Sequence, residues 1–122
     1  MNDEDQEFLE SLRCDFVIEA SEMLAKCEES LLNYEVEFNI SFYQEYMRFI
    51  HSMKGSARAV EFNTFASTIH NIESIGQKSK DQQFVELSLK LIDEMKEVVN
   101  LMKSRDYEQM ELKLTSICGQ IK

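Results

Sequence analysis

The sequence contains no proline and only three glycines among its 122 residues. Sheet proteins of this size need many turns, and such turns draw heavily on glycine and proline. The scarcity of both predicts a chain that is mostly helical. The sequence also lacks a run of about 18 apolar residues, so no membrane span is expected. No signal peptide precedes the acidic opening MNDEDQEFLE, from which we expect a soluble, cytoplasmic protein.

Basic residues are in deficit, with 13 lysines and arginines against 23 acidic residues and a formal net charge of -10. A nucleic-acid binder needs a net basic face, and so does a protein that adheres to anionic membranes, which argues against both classes. Hydrophobic residues nevertheless make up 43% of the chain, too many for a disordered acidic tail. The length fits one ordinary domain.

Cysteines are few and unpaired in their spacing: Cys14, Cys27 and Cys118 form an odd set without a CxxC pair. This pattern disfavours both a disulfide framework and a zinc site. Small buried thiols in a reducing compartment are the simpler interpretation.

Apolar residues recur at steps of three or four along five segments, which is the pattern of amphipathic helices. The stripes run from Leu9 to Tyr34, Tyr46 to Val60, Phe62 to Gly76, Phe84 to Met102 and Tyr107 to Ile121. Residues 36–39 lose the spacing and are predicted to form a loop. Ser41 with Gln44 has the pattern of a capping box at the start of the second helix. Asp106 with Gln109 suggests a similar cap before the last helix.

Such helices can bury their stripes only against one another. We therefore expect an all-α fold, an up-and-down antiparallel four-helix bundle with an additional C-terminal helix. The prediction is a single domain over 1–122, with the bundle core at about 5–105 and the C-terminal helix at about 107–121.

The second helix carries the one anomalous residue. At about 100° per residue, His51 falls nearly opposite the apolar stripe of that helix. Its side of the helix also holds Gln44, Met47, Arg48, Gly55 and Arg58, with Lys54 at the flank. A glycine inside a helix costs about 1 kcal/mol relative to alanine. Its missing side chain opens space next to the imidazole for a reacting group or another protein.

Charge reverses sign around this histidine. Between Phe42 and Val60 the three basic residues Arg48, Lys54 and Arg58 face one acid, Glu45, so the local charge is 3 − 1 = +2. A basic strip around an exposed imidazole suits a phosphoryl group or an acidic partner. The alternative is a solvated helix face with a lone surface histidine.

His70 and Glu73 lie three residues apart on the third helix and can form an ordinary surface pair. Two histidines and a carboxylate also raise the alternative of a metal-dependent hydrolase. Their spacing matches no HExxH-type pattern, so we expect no metal and no bound cofactor.

The segment HSMKGSA (51–57), followed by Phe62 and by IHNIE (69–73), resembles the histidine-containing phosphotransfer (HPt) domain. With the opening FLESLRCDFVIEASEMLAKCEESLL, the chain is most similar to the N-terminal phosphotransfer domain of chemotaxis histidine kinases. The resemblance covers most of residues 8–105. Arg58 and Glu61 stand where family members often carry glycines.

The resemblance implies a role for each matching residue. His51 corresponds to the phosphorylated histidine, Lys54 to a lysine that supports the phosphoryl group, and Gly55 to a small residue that clears access. His70 and Glu73 correspond to a neighbouring pair in which the glutamate orients the phosphorylatable ring.

The implied partners are a histidine kinase catalytic domain and a response-regulator receiver domain, with ATP and Mg²⁺ on those partners. Docking would involve Gln44, Met47, Arg48, Lys54, Gly55 and Arg58. Because the chain has no GxxxxGK[ST] loop, we expect a phosphocarrier without kinase activity of its own. It would be free-standing or the substrate domain of a kinase. We also expect a monomer. The alternative is a phosphotransfer-inactive helical module that docks receiver or kinase domains.

Overall fold

The computed structural model describes residues 2–121, and within that range the chain forms five α-helices and no strand. They are α1 (Asp3–Glu37), α2 (Ile40–Ala59), α3 (Asn63–Lys78), α4 (Gln82–Lys103) and α5 (Tyr107–Ile121). Two or three residues connect each pair of consecutive helices, so sequence neighbours run antiparallel. The predicted all-α bundle with an additional C-terminal helix is confirmed.

The helices enclose one hydrophobic core. α1 packs against α2 and α4, and α2 also packs against α3. Of the helix pairs that are in contact, α3 and α4 have the least contact with each other. α5 packs against both of these helices. The largest fully buried side chains are Tyr46, Phe65, Phe84, Leu24, Leu31, Ile50, Met53, Ile69, Ile72, Leu91, Ile92 and Met95.

The predicted loop at 36–39 is wrong over its first half, because α1 continues through Glu37. The last turn of α1 lies at the edge of the core, where Val36 is 83% exposed. An exposed turn needs no apolar periodicity, so the loss of the pattern did not mark the end of the helix. The chain reverses in two residues, with Phe38 in the left-handed region at φ 52°.

The predicted capping box at Ser41 and Gln44 is also wrong, because the N-cap of α2 is Asn39, two residues before Ser41. The Asn39 Oδ1 accepts hydrogen bonds from the Ser41 backbone N at 3.0 Å and the Ser41 hydroxyl at 2.9 Å. Asparagine is among the best N-cap residues, and Asn39 has the N-cap role that the pattern assigned to Ser41. The cap at Asp106 is confirmed, since Asp106 Oδ1 accepts from the Gln109 backbone N at 3.2 Å.

Glu61 forms the turn between α2 and α3 in a left-handed conformation, with φ 63°. Its N–H donates to the Arg58 carbonyl at 3.1 Å, and the Phe62 N–H donates to the Ala57 carbonyl at 2.9 Å. These two bonds are those of a Schellman motif, which usually has glycine at this position. Arg13 of α1 supports the turn from outside by donating to the carbonyls of Val60 at 2.9 Å and Glu61 at 3.3 Å.

The apolar stripe predicted from Tyr46 to Val60 includes Phe49, but this residue is only partly buried. The Lys26 Nζ lies 5.8 Å from the centroid of its ring, so the ring packs on the edge of the core under an amine. Tyr43, which the stripe did not include, is buried instead, and its hydroxyl donates to the Gly76 carbonyl at 2.8 Å.

Candidate functional site

The candidate site lies at the seam between α2 and α3. Ile50, Met53 and Ala57 are completely buried and fix the face that α2 turns to the core. That orientation leaves His51 pointing outward, with 71% of its side chain exposed, as the helical periodicity predicts. Lys54 lies one turn further on, at the edge facing α3.

Glu73 of α3 joins the two α2 side chains. The His51 Nδ1 lies 3.2 Å from Glu73 Oε2, and the Lys54 Nζ donates to Glu73 Oε1 at 2.7 Å. Only 8% of the Glu73 side chain and 11% of the Lys54 side chain are exposed. A buried carboxylate with a separate donor on each oxygen is held in one position.

The electrostatics of Glu73 favour its ionised form. Burial by itself raises the pKa of this carboxyl. The hydrogen bonds from Lys54 and His51, together with their charges, outweigh burial and leave the pKa below its ordinary value. At neutral pH Glu73 is therefore an anion that accepts hydrogen bonds on both oxygens.

This anion selects one tautomer of His51. A neutral imidazole carries one N–H, and the carboxylate beside Nδ1 places that proton on Nδ1. Nε2 then keeps its lone pair at the exposed end of the ring. With this lone pair free and exposed, Nε2 is suited to act as a nucleophile.

His70 completes the group around Glu73, with its Nδ1 3.7 Å from Glu73 Oε1. Its side chain is 56% exposed. Lys54 already donates to the same oxygen at a shorter distance, so His70 is the weaker partner. The structure thus brings His51, Lys54, His70 and Glu73 together.

The other residues predicted at this site are distributed around His51 on α2. Gln44, Arg48, Gly55 and Arg58 are exposed. A Cβ added to Gly55 would meet no atom within 4 Å, so the surface beside His51 is open there. Met47 is half-buried at the α2–α3 seam, since a Cβ on Gly76 would lie only 2.6 Å from its sulfur.

Two further findings concern the residues from 2 to 121. Among them, no group of three or more His, Cys, Asp and Glu side chains is placed to hold a metal ion. Over the same range, no helix is both long enough and apolar enough to cross a membrane.

The residue patterns alone did not predict the Lys54–Glu73 bond. The helical periodicity places Lys54 at the flank of the α2 stripe, and Glu73 follows the buried Ile72 on α3. Opposite charges at the facing edges of two consecutive antiparallel helices were the available signal. Which edges meet depends on how the helices pack, which periodicity within one helix does not specify.

Comparison with known protein families finds one model, described as the Hpt domain, which matches residues 11–103. The matched range runs from within α1 to the end of α4 and leaves out α5. Hpt domains perform histidine phosphotransfer in phosphorelays and interact with kinases and receiver domains. Comparisons with curated proteins and with solved structures found no match.

Proposed function

Because this chain belongs to the Hpt domain family, we propose that it carries a phosphoryl group on His51. The group comes from a histidine kinase or a phosphorylated receiver and passes to the aspartate of a response-regulator receiver domain. One observation carries the assignment to this residue. The exposed His51 ring has its Nδ1 3.2 Å from a buried, ionised Glu73, which leaves Nε2 as the free nucleophile.

The reaction needs little from this chain beyond positioning. Nε2 attacks phosphorus, the bond from phosphorus to the donor's leaving oxygen breaks, and its electron pair stays on that oxygen. The Nδ1 proton remains on the ring and donates to Glu73. In the onward transfer His51 is the leaving group. An aspartate oxygen of the receiver attacks phosphorus, the N–P bond breaks, and its electron pair returns to Nε2.

Lys54 supports this step through Glu73. Its ammonium lies 2.7 Å from Glu73 Oε1 and favours the ionised carboxylate. The positive charge that arises on the ring during phosphorylation is then stabilised by a neighbouring anion. Gly55 leaves the surface beside His51 open to an approaching domain.

The partners in this proposal are a kinase catalytic domain, which supplies ATP and Mg²⁺, and a receiver domain. Gln44, Arg48 and Arg58 provide exposed polar and basic contacts around His51, and Met47 provides an apolar one at the seam. We place the chain among chemotaxis-type phosphotransfer domains because His70 lies beside Glu73, as that similarity implies. In this proposal the chain acts as a cytoplasmic monomer.

His51→Gln tests the assignment. We expect this variant to fold, because the side chain is mostly exposed, and to lose all labelling by a phosphorylated donor. Labelling is measured by intact-protein mass spectrometry, and folding by circular dichroism. His70→Gln is the matched control, since it removes the chain's other histidine from the same group and should keep labelling at His51.

Undiminished labelling of the His51→Gln variant would disprove the site. A wild-type chain that binds a receiver domain and never exchanges phosphate would support the alternative of an inactive docking module. The open surface at Gly55 and the ionised Glu73 favour the active carrier, because a docking module needs neither.

A further inference from the structure

The face of α2 that carries His51 has a gap at Gly55, which has no side chain. Arg58 follows His51 by seven residues, which on a helix is about 20° of rotation and about 10 Å along the axis. Gly55 lies between them, and a Cβ at Gly55 would meet no atom within 4 Å. His51 and Arg58 therefore border an open stretch of helix surface.

The direction of helical side chains brings Arg58 toward this gap. Cα–Cβ bonds tilt toward the N-terminus of a helix, and long side chains follow them. The Cα–Cβ bond of Arg58 is therefore directed toward the turn that contains Gly55, and an extended arginine side chain can reach across Gly55 toward His51.

The two cations Lys54 and Arg58 differ in whether an acidic side chain already binds them. Lys54 has its Nζ bound to Glu73 at 2.7 Å and is only 11% exposed, so its ammonium already has an anionic partner. Arg58 is exposed, and among residues 2–121 no acidic oxygen lies within 4.0 Å of its guanidinium.

We propose that Arg58 donates hydrogen bonds to the phosphoryl oxygens once His51 is phosphorylated, so that the guanidinium closes over Gly55. This proposal rests on the proposed function. A guanidinium presents paired N–H donors that match two phosphoryl oxygens, and its charge favours the dianionic form of the group. Arg58 is thus the residue of this chain that recognises the phosphorylated state directly, while Lys54 stays with Glu73.

The test uses the full chain and potassium phosphoramidate, a small donor that needs no partner protein. Nε2 attacks phosphorus, the P–N bond of the donor breaks, and ammonia leaves. The phosphoryl group on His51 is then titrated by ³¹P NMR. Arg58→Gln removes the charge, and Lys90→Gln is the control, since it removes one exposed positive charge from α4.

A nearby cation lowers the pKa of the phosphoryl group. In Arg58→Gln we therefore expect the titration midpoint to rise by about half a pH unit, a threefold change in proton affinity. In Lys90→Gln it should stay within about 0.1 unit of the wild type. Adding about 0.5 M NaCl should shrink the difference, because the pair is exposed.

Equal midpoints for Arg58→Gln and the wild type, or equal shifts for both variants, would overturn the Arg58 contact while leaving phosphorylation of His51 intact. A wild-type chain that phosphoramidate does not label on His51 would overturn the proposed function, and the Arg58 contact with it.

Discussion

At the scale of single residues, Glu73 organises the site. It is buried, bound by an ammonium on one oxygen and by the imidazole N–H on the other. A buried carboxylate without these donors would have a raised pKa and would lose its proton less readily. The same two bonds that keep Glu73 ionised therefore also choose the tautomer of His51.

Glu73→Gln should weaken both stability and phosphorylation. The variant leaves the Lys54 ammonium nearly buried without an anion, which we expect to lower the free energy of unfolding by about 1–3 kcal/mol near neutral pH. Labelling of His51 should slow at least about tenfold, because an amide holds the imidazole proton less strongly than a carboxylate does. Urea unfolding and phosphoramidate labelling measure the two effects.

The stability difference should depend on pH in one direction. The folded-state pKa of Glu73 is below its ordinary value of 4.5, so the ionised form stabilises the fold above that pH. This contribution is lost as the pH falls through the lowered pKa, and the wild type should approach the Glu73→Gln variant there. A gap between the two unfolding curves that is unchanged from pH 7 down to pH 3 would contradict the ion pair as its source.

Much of this site could be predicted from the sequence at the scale of single residues. The periodicity of α2 predicted that His51 faces outward, and the resemblance to HPt domains implied that Glu73 orients it. The Lys54–Glu73 bond was not predicted, because it joins residues 19 positions apart on two helices. Its existence depends on the packing of α2 against α3.

At the scale of elements, glycine is absent from the left-handed positions that end helices. Phe38, Glu61 and Arg105 have φ of 52°, 63° and 58°, while no glycine among residues 2–121 has a positive φ. Arg105 closes α4 as Glu61 closes α2: its N–H donates to the Met102 carbonyl, and the Asp106 N–H donates to the Leu101 carbonyl. The helix ends thus form with side chains that strain the turn.

Glu61→Gly should stabilise the protein. The left-handed conformation costs a residue with a Cβ about 1–2 kcal/mol, whereas glycine adopts it freely and loses about 0.4–1 kcal/mol through its more flexible unfolded chain. We expect a net gain of about 0.5–1 kcal/mol in the free energy of unfolding by urea titration. Ala59→Gly, two residues earlier and still helical, is the control and should destabilise by up to about 1 kcal/mol.

A destabilised Glu61→Gly variant would mean that the Glu61 side chain contributes to the turn beyond its backbone. Arg13 donates to the backbone carbonyls of Val60 and Glu61 and stacks on Phe62, with its Cζ 4.4 Å from the ring centroid. Neither contact requires a side chain at residue 61.

The helix interiors were predictable and the helix ends less so. The five apolar stripes predicted five helices, and Asp106 was identified as a cap. The end of α1 and the cap of α2 were missed because Val36 is exposed and Asn39 competes with Ser41 for the same role. Local preference alone does not decide between two good cap residues that are two positions apart.

At the scale of the whole molecule, α5 belongs to the same core although the family match ends at residue 103. Met110, Leu114 and Ile117 are buried, and the helix packs against α3 and α4. We infer that α5 unfolds with the bundle rather than separately. Of the helix pairs that are in contact, α3 and α4 have the least direct contact, and α5 packs against both of them.

Leu114→Ala tests this inference against Leu112→Ala in the same helix. Leu114 is fully buried, so its truncation should lower the free energy of unfolding by about 2–5 kcal/mol in a single cooperative transition. Leu112 is 59% exposed, and its truncation should change stability by less than about 0.5 kcal/mol. If Leu114→Ala left the main transition unmoved and lost only a small helical signal, α5 would be an independent element.

The sequence by itself determined the helical class, the number of helices, the outward direction of His51 and the basic residues around it. All of these follow from spacing and composition within one segment. The tertiary structure decided that Lys54 binds Glu73, that Glu73 also reaches His51, and that Arg58 remains without an acidic partner among the described residues. These depend on which edges of α2 and α3 meet, and that is settled by burying several apolar stripes at once in one core.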